Sequence, residues 1–206
     1  MSLQLGAVFK VDWFEAPVRV LAFDAAEVIY DAWWPGVSAW GLAKLGGTFS
    51  YLRVPRRFFE KTATFLRIEE YTQEEAEVHR PDLPLSFARN HFLSWYSESS
   101  NNRSPMAASP TVAEDSMARL NAGAIYLVPF GPKHGSKPSL LVRPADGASF
   151  TSLEVIRLAW QVQVAHLGSK QLTEGVGIYR SGVRRRVPSY YIWGSTSRLE
   201  QQTGET

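Results

Sequence analysis

Along the first 55 residues, apolar and polar positions alternate in short runs broken by turn-forming residues. "GAVFKVDW" (6–13), "VRVLAFD" (18–24), "EVIYDAWW" (27–34) and "TFSYLRV" (48–54) are rich in β-branched and aromatic side chains, which suit a pleated, half-buried surface. Glu15-Ala16-Pro17 and Asp24-Ala25-Ala26 supply short links, and Pro35-Gly36 and Gly46-Gly47 punctuate the remainder. Four strands spaced this closely predict a bent antiparallel meander, an SH3-like or Tudor-like small β-barrel over residues 1–70. Within 27–34 the two-residue period places Val28, Tyr30, Ala32 and Trp34 on one face, with Ile29, Asp31 and Trp33 on the other.

The pattern then changes. Thr72-Gln73-Glu74-Glu75 has the spacing of a capping box, so a short acidic helix is expected over 73–79, stopping before Pro81. "SESSNNRSPMAASPT" (97–111) lacks aromatic and β-branched residues and carries two prolines; residues 71–113 therefore read as a helical connector followed by a mobile loop. Residues 114–206 resume a mixed α/β pattern, with strands at 124–131 and 138–144 joined by "PKHGSK". Thr151-Ser152-Leu153-Glu154 is a second capping box. Leu153, Ile156, Trp160, Val164 and Leu167 follow at helical spacing up to a stop at Gly168. The expected fold class is α+β: the barrel, then one long amphipathic helix packed on an antiparallel sheet that ends in a hairpin.

Composition narrows the chemistry. A 45% hydrophobic chain has material for a core, and the absence of cysteine excludes disulfides, thiolate metal sites and a cysteine nucleophile. No apolar run reaches the length of a membrane span, and the start does not read as a signal peptide, so a cytoplasmic protein is expected. Net charge is only +2, so any attraction for polyanions must come from a local patch.

The strongest local patch lies in "GVGIYRSGVRRRVPSYYIWG" (175–194). Arg180, Arg184, Arg185 and Arg186 surround a predicted turn and are interleaved with Tyr179, Tyr190, Tyr191 and Trp193. Guanidinium groups bind phosphates and aromatic faces stack on bases, so this basic ribbon is a candidate contact for DNA or RNA, with Arg56 and Arg57 in "RVPRRFFEK" as a second contact. A solvated turn serving solubility is the plain alternative. The arginines at 53–67 also precede Glu69, Glu70, Glu74, Glu75 and Glu77, and these blocks can pair with each other.

Gly177-Ile178-Tyr179 and Tyr191-Ile192-Trp193-Gly194 together resemble the paired strands of the GIY-YIG nuclease family. That resemblance implies metal-dependent cleavage with the tyrosines positioning an attacking water. It covers residues 175–194 alone; Trp193 interrupts the second tripeptide, and Glu200 and Glu205, the acidic residues that follow, fall in a polar tail. Trp13, Trp33, Trp34 and Trp40 form an aromatic group suited to a partner or an internal interface. The four histidines show no metal-ligand spacing, and no catalytic or cofactor motif is present. The reading is a non-enzymatic interaction module that contacts nucleic acid through the basic hairpin. Its alternatives are a protein-binding inhibitor or immunity-type factor and, third, a metal-dependent nuclease.

Overall fold

The computed structural model describes residues 3–36, 38–41, 43–45, 48–88, 118–129, 138–164 and 175–194. The loop expected at 97–113, the link 132–137 and the helix stop at Gly168 lie outside these residues. The chain divides into two compact units: residues 1–85 with 181–188, and 86–180 with 189–206.

The first unit is built on an antiparallel sheet. β1 (Ala7–Val11), β2 (Phe14–Phe23), β3 (Glu27–Trp34) and β4 (Ala39–Gly41) follow in sequence and in space. β5 (Ala43–Leu45) and β6 (Thr48–Ser50) pair with each other, and β6 also pairs with the hairpin tip at Gly182. β7 (Leu52–Pro55) returns to β3 beside β4, and helix α1 (Arg56–Thr62) leads into β8 (Thr64–Ile68), which pairs with β1. Helix α2 (Gln73–His79) follows.

The expected barrel does not form. The strand order β4-β3-β2-β1-β8 leaves two separate edges, and "TFSYLRV", expected as one strand, is divided between β6 and β7. Closure depends on edge-to-edge pairing between distant segments, which strand spacing alone does not encode. Glu15-Ala16-Pro17 also lies inside β2, and the tight link is Asp12-Trp13. Asp24 turns the next corner: its Oδ1 accepts the Ala26 and Glu27 amides at 2.7 and 2.9 Å.

The sheet has a core on each face. Ala7, Phe9, Val18, Val20, Val28, Tyr30 and Val54 pack with Phe59 of α1 on the first. Ile29, Tyr51, Leu85 and Val183 pack with Leu21 and Ala22 on the second. Two adjacent residues of β2 share that second face because the β2–β3 register shifts between Val20 and Ala22. Leu21 is the extra residue of a β-bulge. Gly6 is required where it stands: at φ +75, an added Cβ would lie 2.7 Å from the Glu69 carbonyl oxygen.

The second unit contains β9 (Ser86–Phe87), β10 (Arg119–Leu120), β11 (Ile125–Val128), β12 (Leu140–Val142), β13 (Phe150–Thr151) and helix α3 (Ser152–Val164). β14 (Gly175–Arg184) and β15 (Val187–Gly194) complete the chain of elements; all but their tip, 181–188, belongs here. β11 and β12 form the expected antiparallel pair, but β11 pairs with β15 in parallel, so the sheet is mixed.

α3 is also not the long helix laid on a sheet that the sequence suggests. It spans 13 residues; among its described side chains Ser152, Val155, Ala159 and Val162 are buried, Ile156 is half-buried and Leu153 is exposed. Its capping box is half-formed. Thr151 Oγ1 accepts the Glu154 amide, but the Glu154 carboxylate turns to the Ala145 amide. With three short helices among the described elements, the protein is mostly β rather than α+β.

Candidate nucleic-acid interface

β14 and β15 meet in a two-residue turn, Arg185-Arg186, with φ of 49° and 63°. Positive φ at both central positions is the arrangement of a type I′ turn, whose twist matches that of the flanking strands and which Asn-Gly fills most easily. Arginine has a Cβ and no short polar group to stabilise this conformation locally. Each left-handed residue therefore costs about 1–2 kcal/mol. Arg184, Arg185 and Arg186 are all exposed. Arg186 donates to Glu74 of α2 at 2.9 Å, and both side chains remain largely in water, so the bond restrains the tip only weakly.

The other predicted hairpin contacts are placed differently. Arg180 is 1% exposed, and Tyr179 and Tyr190 are buried. Tyr179 stacks on Tyr191 with ring centroids 5.7 Å apart. Tyr179 and Tyr190 therefore fill structure, while Tyr191 is half-buried. Arg57 is exposed on α1, while Arg56 is half-buried, bonded to Glu60 at 2.8 Å and to the Asp24 carbonyl at 3.0 Å. Arg53 meets Glu27, and Arg67 meets Glu69. The basic block at 53–67 is thus partly consumed by carboxylates, and the hairpin tip is the denser cationic feature.

The tryptophans divide as well. Trp13 is half-buried, donates to the Tyr30 hydroxyl at 3.0 Å and packs on Phe58 and Phe59. Trp34 is exposed, touches Phe14 edge-on and donates to the Gly41 carbonyl at 3.2 Å. Trp33 and Trp40 meet edge to face on the opposite side of the strand, and Trp40 donates to Glu69. Trp33 and Trp34 alternate along β3 and so point to opposite faces.

Sequence reading missed the most organised polar group in the first unit, centred on Arg19. Its guanidinium donates to both Asp31 oxygens, at 3.3 and 2.8 Å, and to Glu75 at 2.7 Å. Tyr71 and Trp40 cover it, with ring centroids 4.1 and 4.8 Å from the guanidinium carbon. Arg19 and Asp31 are directly paired across β2 and β3 and are almost wholly buried.

Burial opposes the Arg19 charge, but the bonds to Asp31 and Glu75 more than offset it and hold its pKa above the ordinary value. For Asp31 burial prevails over the arginine and pushes the carboxyl up to about 6. Burial also raises Glu75, yet the bonds from Arg19 and Thr72 win and leave it below the usual carboxylate range. Glu75 completes the capping box that starts α2, so the buried arginine fixes the helix to the sheet. A signal existed in the sequence. Asp31 falls on the face shared by Ile29 and Trp33, and Arg19 is the lone charge within "VRVLAF".

Among the described residues, no cluster of three or more His, Asp or Glu side chains could hold a metal ion, and no helix is long and apolar enough to cross a membrane. Comparisons with protein-family models, curated proteins and solved structures found no match to this chain.

Proposed function

We propose that the protein is a non-enzymatic interaction module that binds nucleic acid through the Arg184–Arg186 tip of the β14–β15 hairpin. The observation that carries this reading is the turn itself. Two arginines occupy left-handed positions where Asn-Gly would be less strained, and both side chains project from the strand ends into water. Strain retained at an exposed cationic tip is accounted for by a contact that needs those guanidinium groups.

The buried tyrosines refine the partner. With Tyr179 and Tyr190 withdrawn, the tip offers mainly charge and planar hydrogen-bond donors. Its chemistry suits the phosphate backbone, and a two-stranded ribbon can enter the major groove of a DNA duplex. Duplex DNA is therefore favoured over single strands, with little dependence on sequence.

The test is binding of a fluorescent duplex across a salt series. Replacing Arg184, Arg185 and Arg186 together by alanine is expected to weaken binding and reduce the slope of log affinity against log salt by about 2–3, since each lost phosphate contact removes about 0.9. Wild-type protein that binds no duplex at low salt, or a slope unchanged in the variant, refutes the proposal.

A further inference from the structure

β8 (Thr64–Ile68) pairs with β1 along one side and, among the described residues, with no strand along the other. All five residues are exposed, and three are large and apolar: Phe65 at 47%, Leu66 at 45% and Ile68 at 51%. A sheet edge with such side chains presents unpaired backbone groups beside apolar surface, which favours addition of another strand. The charge that usually discourages this is muted. Arg67, the one charged residue of β8, turns to Glu69 in the same chain at 2.8 Å. Phe65 is also continuous with the core, since it meets Phe9 edge to face at 5.7 Å and Phe9 meets Phe59 at 5.0 Å.

The charges flanking β8 identify what fits the edge. Arg57 and Lys61 precede it, and Glu69 and Glu70 follow it; Lys61 and Glu70 are both exposed. An antiparallel neighbour with the same sequence places the basic flank of each copy against the acidic flank of the other. A parallel arrangement would set like charges together. Antiparallel self-pairing about the strand centre sets Leu66 against its counterpart, with Phe65 beside it, so the apolar centre and the charged ends both match.

We infer that β8 is a self-association edge. Two copies of the chain pair β8 to β8 in antiparallel fashion about a two-fold axis near Leu66, which brings the end of α1 that carries Lys61 in one copy toward the Glu69–Glu70 flank of the other. The first unit's sheet then continues from one copy into the next. This inference does not depend on nucleic-acid binding.

The experiment is molar mass by light scattering across a dilution series of the full chain at low salt, with circular dichroism to verify folding. Wild type should approach twice the chain mass as concentration rises, while Leu66→Lys, at an exposed position, should remain monomeric. Lys61→Glu should weaken the dimer roughly tenfold, and the double exchange Lys61→Glu with Glu70→Lys should recover most of that loss. A monomer at every concentration, a dimer that survives Leu66→Lys, or a double exchange that fails to restore association overturns the inference.

Discussion

Arg19 and the arginines at 184–186 belong to the same unit and carry the same group under opposite conditions. Arg19 lies in the sheet, bonded to Asp31 and Glu75 and covered by two aromatic rings. The three tip arginines stand in water on a turn strained at two of their own residues. At Arg19, conformation, charge and packing support one another, and removing one partner strands the rest. At the tip, local conformation works against the side chains, and the ion pair of Arg186 with Glu74 lies largely in water. The contrast separates a buried arginine that is bonded and covered from exposed arginines on a strained turn. Formal charge makes no such distinction.

The largest perturbation should come from the buried member. Arg19→Met leaves Asp31 without its cation, and a broken buried pair costs about 3–5 kcal/mol. Urea denaturation should show that loss, and adding Asp31→Leu should recover much of it. If Arg19→Met unfolds at the wild-type midpoint, the pair does not organise the unit. The same site predicts a titration. With its folded pKa raised from 3.8 to about 6, Asp31 favours the protonated folded state. Its contribution to stability is therefore full below about pH 4 and declines as pH rises toward 6. A carboxyl carbon resonance titrating near 6, absent in Asp31→Asn, would confirm this; a midpoint near 4 would remove the burial argument.

The smallest effect on stability should come from the tip, with the opposite sign. Replacing Arg185-Arg186 by Asn-Gly relieves the second left-handed position, eases the first, and should stabilise the protein by about 1–2 kcal/mol, less any loss of the weak Glu74 contact. The same variant should bind duplex DNA less tightly than wild type. Thermal melting and the binding series together decide it. A variant that is destabilised, or that binds unchanged, would erase the distinction between the two arginine sites.

Local features were legible in the sequence to the extent that they close over short distances. The Thr72–Glu75 box forms with both reciprocal bonds, and Val28 and Ile29 face opposite cores as their alternation requires. α1 was hidden because it begins after Pro55 and buries only Phe59, leaving no apolar stripe. The division of "TFSYLRV" and the open edges depend on partners far along the chain. The candidate tip residues Arg184–Arg186 were visible as a cluster, but the burial of Arg180, Tyr179 and Tyr190 was not, because strand alternation gives two faces without saying whether both are covered. Arg19 was overlooked for a related reason: a charge pair in a sheet becomes apparent only when the register is known.

The bulge at Leu21 separates strand parity from strand length, although Leu21 itself is buried in the second core. Val20 opposes Tyr30 and Ala22 opposes Ile29, so Leu21 is surplus to the pairing. Removing it leaves Arg19 across from Asp31 and Phe23 across from Val28, with each neighbour on its original face. A loss of one residue from this part of the strand need not invert the alternation if the spare position is drawn into register. Between two cores that both depend on parity, the register of β2 carries slack, while the second core loses a leucine.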